Sequence, residues 1–398
     1  MDGYALFAQG PQDLLFTDTS NKIFRNTPKQ YTDFSIDTVD YIFGKAPYLG
    51  TTQTFAISVK SLKGDLLSDV FLKFTLPTGQ VYVENVGRSI TQHIQMSLDS
   101  VEVESFDDDW LIVKDQLFLD DDEKTAISSL VDKQGGDFYV PLEFFFSRRY
   151  SRYRKDKVNK PFLPLCAAYK NTLYVTIEFQ TSEFLCGIAG VDISNVSIVF
   201  ETITLTDLER LELLSSPQTV TVQRVYKEPV TDMTNATVQL NLTASYKVTL
   251  MTWFLRYQLY ENNRFFYNKR YEYGYITTDK FVEKDTDPFE YITIYVNGKE
   301  ITDRFSGVNF FTWLQPTLCK LSSPTKKLYM YAFGLSPNEY NNSGTFDFKT
   351  TDSNSTFISM KIKPQFVSDL TSRYFLHTYH YGYSELLFSD GTCSRLEI

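Results

Sequence analysis

Histidine, the side chain that most often serves in acid–base catalysis and metal binding, is scarce in this chain of 398 residues. The chain has three histidines, His93, His377 and His380, and no nucleophile elbow, phosphate-binding loop or HExxH motif. His377 and His380 lie three positions apart, which directs their rings to opposite faces of a β-strand and disfavours a shared metal ion. We therefore predict no catalytic residue, no metal site and no cofactor.

Two acidic runs, residues 107–109 and 120–123, are candidate cation sites by composition. Neither has the alternating ligand pattern of a calcium-binding loop. We expect the first run to lie in the first turn of a helix capped by Ser105, where carboxylates are favourable beside the positive end of the helix dipole. We expect the second run to be a solvent-exposed loop.

The strongest candidate for a binding role is a basic segment at residues 148–160. A patch of this kind can bind phosphates, acidic glycans or an acidic neighbouring subunit. Because the whole chain has a net charge of −10, a protein–protein contact is favoured over a solvated loop or a nucleic-acid site. The candidate assembly contacts are the seven cations Arg148, Arg149, Arg152, Arg154, Lys155, Lys157 and Lys160.

Composition favours a protein with large interfaces. Aromatic residues make up 16% of the chain, and they are enriched both in strands and in contact surfaces. The negative net charge disfavours nucleic acid as the main partner. The sequence shows no signal-peptide pattern and no apolar run of transmembrane length, so neither secretion nor a membrane span is expected. The four cysteines show no CxxC spacing, and we expect reduced, buried thiols.

Strands are predicted in both halves of the chain because apolar and polar residues alternate. In residues 173–179, for example, Leu173, Val175, Ile177 and Phe179 share one face. Between the halves, Thr206 and Glu209 have the spacing of a capping box, and Pro217 is a natural end for that helix. No internal repeat is visible. The pattern predicts two antiparallel sandwiches joined by a short helix.

Four segments resemble signature segments of the double jelly-roll major capsid proteins of large eukaryotic double-stranded DNA viruses. They are YTDFSIDTV (31–39), FYVPLEFFF (138–146), YVNGKEITDRF (295–305) and LYMYAFGLSP (328–337). Further similar stretches follow in the family's order over essentially the whole chain. One departure is the segment 142–146, which lacks the tryptophan that the family usually has there.

The resemblance implies an all-β fold with two consecutive eight-stranded antiparallel jelly-roll barrels and a few short helices. The expected divisions are an N-terminal arm (1–17), a first barrel (18–205), a helical linker (206–219) and a second barrel (220–398). It also implies a non-enzymatic homotrimer of pseudo-hexagonal outline that contacts neighbouring capsomers and minor capsid proteins beneath the shell. The expected location is the virion capsid, assembled in the host cytoplasm.

Two alternatives to a main shell protein remain open from the sequence. Within the same fold, the chain could be a minor or vertex-proximal capsid paralogue or an assembly scaffold. In another class of protein, it could be a carbohydrate-binding jelly-roll protein.

Overall fold

The structure, a computed structural model, describes residues 34–43, 48–147, 161–244, 246–258, 261, 287–302, 307–337, 344–350, 355–370 and 372–396. In these ranges the first half of the chain contributes the strands β1 (Phe34–Ile42), β2 (Thr52–Ser58), β3 (Leu66–Leu76), β4 (Thr91–Leu98), β5 (Val101–Asp107), β6 (Gly136–Pro141), β7 (Leu163–Pro164), β8 (Thr172–Phe179) and β9 (Ser194–Leu205). They form two antiparallel sheets, with the orders β1-β9-β3-β6 and β2-β8-β4-β5, and the short β7 pairs with β3.

The second half repeats this arrangement. Its strands are β10 (Gln218–Lys227), β11 (Thr231–Asp232), β12 (Thr237–Asn241), β13 (Lys247–Tyr257), β14 (Phe289–Val296), β15 (Lys299–Glu300), β16 (Tyr329–Ala332), β17 (Phe346–Asp347), β18 (Phe357–Ile362), β19 (Tyr374–Ser389) and β20 (Thr392–Leu396). The sheet orders are β10-β19-β13-β16 and β12-β18-β14-β15.

The two halves share one topology. If the eight main strands of each half are counted along the chain, both halves have one sheet of order 1-8-3-6 and one of order 2-7-4-5. This is the strand order of a jelly roll, in which two four-stranded sheets pack face to face. The predicted double jelly roll is therefore confirmed.

Alternation along the strands places the side chains as predicted. Leu173, Val175, Ile177 and Phe179 on β8 are all buried, while the residues between them are only half-buried. Because side chains also alternate along β13, this strand contributes to two cores. Met251 packs in the interior of the second barrel, and its neighbour Leu250 packs in a cluster continuous with the first barrel.

Helices occupy the connections between strands. In the described ranges they are α1 (Val86–Ser89), α2 (Asp108–Phe118), α3 (Asp121–Val131), α4 (Ser182–Cys186), α5 (Asp207–Ser215) and α6 (Gln315–Leu318), which directly follows a π-helical segment, Gly307–Leu314. None of the helices in these ranges is long and apolar enough to cross a bilayer.

Two predictions about the acidic runs were wrong. The helix after β5 is capped by Asp107, whose carboxylate accepts a hydrogen bond from the Trp110 amide, and not by Ser105. Ser105 is still paired with Gln95 in the sheet. The run 120–123 is no loop, because Asp120 and Glu123 form a complete capping box that begins α3.

The helix predicted between the barrels is present as α5. The Thr206 side chain accepts a hydrogen bond from the Glu209 amide at 3.4 Å. The domain boundaries 1–17, 18–205, 206–219 and 220–398 stay predictions.

Removal of this cap gives a small, defined test. We expect Thr206→Ala to lower the free energy of unfolding by about 1 kcal/mol, because one helical N–H loses its partner, and to leave assembly unchanged. Urea unfolding would measure the loss, with Ser215→Ala at the other end of α5 as the control. An unchanged midpoint for Thr206→Ala would contradict a stabilising role for the cap.

Candidate assembly site

The predicted assembly contacts lie outside the described residues. Arg148, Arg149, Arg152, Arg154, Lys155, Lys157 and Lys160 all fall in the range 148–160, between the described Ser147 and Pro161. The structure therefore shows the chain that leads into the basic segment and the chain that leaves it.

The chain leading into the basic segment is held by a buried cluster of charges. Arg88 has no exposed side-chain surface, and its guanidinium donates to Asp115 at 3.0 and 3.1 Å and to Glu143 at 2.5 Å. It also donates to the Pro141 carbonyl at 2.5 Å. Burial alone would lower the pKa of Arg88, but the two carboxylates outweigh that effect and raise it, so the guanidinium stays charged.

Further buried contacts hold the backbone of the same stretch. Lys114 donates to the Glu143 carbonyl at 2.5 Å, and the Glu104 carboxylate accepts from the Phe145 amide at 2.5 Å. Glu143 has a positive φ of 49°, a conformation that costs energy outside glycine and persists where surrounding contacts impose it. The basic segment thus begins directly after a fixed, buried turn.

A second group of charges joins the two barrels. Arg256 on β13 donates to Asp109 of α2 at 2.8 Å and to Glu261 at 3.0 Å, and both Arg256 and Asp109 are almost fully buried. Asp107 accepts from Lys227 at 2.6 Å and from the Tyr379 hydroxyl at 2.8 Å. These pairs line a cleft of about 700 Å³ between the barrels. Three carboxylates of the cleft, those of Asp107, Asp109 and Glu261, are engaged by cations, which fits a structural junction.

Apolar packing accompanies these ion pairs. The fully buried Trp110 of α2 lies over Tyr379 and Tyr381 of β19, with ring centroids 5.8 and 5.4 Å apart. Phe118, at the end of α2, lies 5.4 Å from Tyr381. Aromatic pairs at these distances stabilise beyond their buried area, so the first barrel is attached to the outer face of a sheet of the second.

Two groups at the junction have lowered pKa values. Burial would raise the pKa of Glu261, but hydrogen bonding to His377 and the charge of Arg256 lower it to about 2. Burial and then Arg256 lower the pKa of His377, although Glu261 and Asp109 oppose that change. His377 Nε2 lies 2.6 Å from Glu261 Oε1, and its ring stacks on Phe254 at 5.0 Å.

These shifts predict that acid weakens the junction. A group with a lower pKa in the folded state contributes stability above its unfolded pKa, and loses it as the pH falls through the folded value. We therefore expect the free energy of unfolding to fall below about pH 6.5 through His377, and between about pH 4.5 and 2 through Glu261. Urea unfolding at a series of pH values would measure this loss of stability. Between pH 7 and 5 the free energy of unfolding of the His377→Gln variant should decline less steeply than that of the unsubstituted protein, and equal declines in the two proteins would contradict the prediction.

The remaining observations concern the two histidines of β19, groups of possible metal ligands and the cysteines. His377 faces Glu261, whereas His380 Nε2 lies 3.0 Å from Glu228 and its ring is near Phe348, so the two rings lie on opposite sides of β19 as predicted. In the described part of the chain, no group of three or more His, Cys, Asp or Glu side chains is placed to hold a metal ion. All four cysteines are free thiols, and all but Cys166 are buried.

Comparison with protein families decides the relationship of this chain. A model described as the N-terminus of the major capsid protein matches residues 22–228, just over half of the chain. A second, described as the major capsid protein of large eukaryotic DNA viruses, matches residues 209–380. The chain belongs to this major capsid protein family. The two matches together span residues 22–380, which include every strand of the first barrel and most of the second barrel.

Individual relatives in the capsid family are distant. Capsid protein 1 of Acanthamoeba polyphaga mimivirus is 25% identical over 248 residues, which cover 52% of this chain and 40% of that protein. The major capsid protein of Paramecium bursaria Chlorella virus 1 is 24% identical over 155 residues, 36% of this chain and 34% of that protein. The chain thus spans well under half the length of these two relatives.

Solved structures share the capsid fold over nearly all of the chain. PBCV-1 VP54 gives a TM-score of 0.75 at 18% identity, covering 94% of this chain and 98% of that one. The Faustovirus major capsid protein gives 0.70 at 11% identity, covering 96% and 95%. At these identities the likeness establishes the fold.

Sequence reasoning missed the residues that join the barrels. Arg256, Asp109 and Tyr379 come from three distant parts of the chain, and no local pattern links them. Trp110 did have a signal, because it lies on the apolar stripe of a helix. That stripe indicates burial without saying whether the covering surface belongs to the same barrel or to the other one.

Proposed function

We propose that this chain is a structural capsid protein that trimerises into pseudo-hexagonal capsomers, which tile the icosahedral shell of a large DNA virus. The observation that carries the proposal is the pair of adjacent barrels with one strand order, in a chain that belongs to the major capsid protein family. One chain offers two comparable barrels, so a ring of three chains offers six similar edges. Six similar edges suit a hexagonal lattice.

Native mass spectrometry of the purified chain tests the trimer. Three chains of 46.1 kDa give about 138 kDa, and we expect this species at micromolar concentration because obligate interfaces are large and apolar. A stable monomer at that concentration would contradict the proposal. Stoichiometry in purified virions separates a main shell protein from a minor paralogue, because only the former should dominate the protein mass.

The basic segment 148–160 is proposed as an assembly contact. Its partner would be an acidic surface of a neighbouring subunit or of a minor capsid protein beneath the shell. The start of α3 offers such a surface, because Asp121 and Asp122 are exposed there while Asp120 and Glu123 are used in the capping box. Charges at the rim of an interface steer association and are screened by salt over about 8 Å at physiological ionic strength.

Charge reversal tests this contact. The triple variant Arg152→Glu, Arg154→Glu and Lys155→Glu should keep the fold, as judged by circular dichroism, while assembly into trimers or shells is impaired most at low salt. A control with the same change in net charge is Lys60→Glu, Lys63→Glu and Lys170→Glu, at exposed positions of the first barrel. Normal assembly of the first variant at low and high salt would make the segment a plain solvated surface.

We further infer that the chain is not an enzyme and requires no cofactor. The carboxylates that line the cleft between the barrels include Asp107, Asp109 and Glu261, and each is held in an ion pair or a hydrogen bond to a cationic or aromatic partner. The proposed location is the virion capsid, assembled in the host cytoplasm. No direct contact with nucleic acid is expected at a net charge of −10.

A further inference from the structure

The two barrels have an equivalent helical connection, but only the connection of the first barrel packs against the other barrel within the chain. In both barrels the connection from the fifth to the sixth main strand is helical: α2 and α3 lie between β5 and β6, and the segment 307–318 lies between β15 and β16. The helix α2 of the first barrel packs on the outer face of the β10-β19-β13-β16 sheet of the second barrel. We call this the covered sheet face.

Much of the covered sheet face is buried by the first barrel. Outward side chains that belong to the same apolar cluster as the interior of the first barrel include Leu250, Phe254, Tyr379 and Tyr381. Trp110 of α2 lies at the centre of this contact and has no exposed surface. One chain therefore contains a complete example of how the helical connection of one barrel covers the sheet of another.

The same connection in the second barrel is exposed. Trp313 is 61% exposed, Leu314 47% and Leu318 61%. Leu335, 72% exposed, is close in space because the Cys319 thiol lies 3.9 Å from the Gly334 carbonyl. We call these four residues the apolar patch. The segment 307–318 carries no charged residue, so burying it would leave no unpaired charge.

The matching sheet of the first barrel is exposed along its edge strands β1 and β6, while Val199 of the central strand β9 is only 3% exposed. In β1-β9-β3-β6 the residues Asp40, Val199 and Phe71 lie in one row on the outward side. Phe34 and Ile36 on β1 are 58% and 46% exposed. We call this the open sheet face.

The open sheet face already has an aromatic surface. Tyr139 on β6 is partly exposed, and its ring lies 4.8 Å from that of Phe71. Ile42, near the end of β1, is exposed on the same side. Exposed apolar groups clustered on one sheet face typically mark an interaction site.

We propose that the apolar patch of one copy docks on the open sheet face of a second copy of this chain. The contact would repeat between copies the packing of α2 on the covered sheet face within a copy, with Trp313 in the role of Trp110. The occupant is a second copy because the described part of the chain carries an element, the segment 307–318, that matches α2 in its position between the fifth and sixth main strands. This inference rests on the proposed trimer and names its interface.

The arrangement closes into a ring. Each copy has one apolar patch and one open sheet face, so the contact is heterologous, and repeating one rotation about an axis satisfies every patch and every face. If each barrel meets the next in the same way within and between copies, six barrels make the ring and three copies complete it. Tryptophan at the centre of such a contact is typical of residues that dominate binding energy.

Photo-crosslinking tests where the patch docks. A benzoylphenylalanine in place of Trp313, in the full chain, should attach on irradiation to a second copy, at a peptide within residues 34–42, 66–76, 136–141 or 194–205. Mixing isotope-labelled and unlabelled chains distinguishes attachment between copies from attachment within a copy. Attachment to residues 1–33, to the second barrel of a neighbour, or only within one copy would overturn the proposal.

Substitution tests how much the contact contributes. Trp313→Ala should weaken association by about 30-fold per interface, the effect of losing a dominant interface residue, and hence by about 3×10⁴-fold for a trimer with three interfaces. Ile36→Glu on the open sheet face should also release monomers. Leu370→Ala, at the fully exposed Leu370, is the control and should leave the trimer intact. Circular dichroism and thermal melting verify that each variant is folded.

The outcomes separate this interface from the proposed function. If the unsubstituted chain forms trimers and the folded Trp313→Ala and Ile36→Glu variants form them equally well, the interface assignment is wrong and the capsid role stands. If the unsubstituted chain stays monomeric at micromolar concentration, the proposed function itself fails.

Discussion

Arg256→Met is expected to lower the free energy of unfolding by about 3–5 kcal/mol. Arg256 and Asp109 are 1% and 2% exposed and form an ion pair of 2.8 Å between the barrels. Removing the cation leaves a carboxylate buried beside an apolar side chain, and such a charge is strongly unfavourable. Glu261 loses the same partner. Urea unfolding followed by tryptophan fluorescence would measure the loss, since Trp110 lies in the same contact.

Two controls separate the loss of the buried cation from lost packing. The double variant Arg256→Met with Asp109→Asn removes both charges and should be less destabilised than the sum of its parts, by about 1–3 kcal/mol. Lys361→Met breaks an ion pair with Glu290 of similar length, 2.9 Å, whose partners are 40% and 50% exposed, and should cost less than about 1 kcal/mol. Similar losses for Arg256→Met and Lys361→Met would mean that burial does not strengthen the junction.

Strand positions were predictable because their signal is local. A strand with one buried face must alternate, and residues 173–179 do so without interruption. The hairpin between β14 and β15 is also local, because Asn297 and Gly298 both have positive φ, as a two-residue turn of this kind requires. The relationship between the two barrels, in contrast, appears in the strand order and not in any repeated sequence.

The start of α2 was misplaced because pairing in the sheet overrides local capping preference. Ser105 and Asp107 pair with Gln95 and His93 on β4, so the backbone stays extended until Asp107. The first residue free to turn is Asp108, and Asp107 becomes the cap. The start of α3 was missed although its signal was present, because an aspartate followed three residues later by a glutamate is the pattern of a capping box.

The charged sites could not be found from the sequence. Arg88, Asp115 and Glu143 come from α1, α2 and the chain after β6, and they meet only once both sheets of the first barrel have formed. Their spacing of 27 and 55 residues carries no periodic signal. The basic segment 148–160 could be recognised because its charges are close together in sequence. The buried charge cluster that holds the chain just before it could not.

This cluster leads to the second large expected effect. Arg88→Met should lower the free energy of unfolding by about 3–5 kcal/mol, because two carboxylates with exposures of 15% and 7% lose their shared cation. Arg88→Lys should recover part of the loss, since an ammonium keeps the charge but cannot reproduce the planar fork that bridges both partners. Urea unfolding of the three proteins would give these differences.

The pH dependence of the Arg88→Met variant distinguishes the cause of its instability. A buried carboxyl group that has lost its cation costs less free energy when it is protonated than when it is charged. Acid should therefore protonate Asp115 and Glu143 in the variant and reduce the difference in the free energy of unfolding between the variant and the unsubstituted protein. Lost packing alone would give a gap that does not change with pH. A constant gap between pH 7 and 4, or a loss below about 1 kcal/mol at pH 7, would show that the cluster is not held by its charges. A gap that narrows with acid would show that charge pairing at Arg88 fixes the chain on which the basic segment begins.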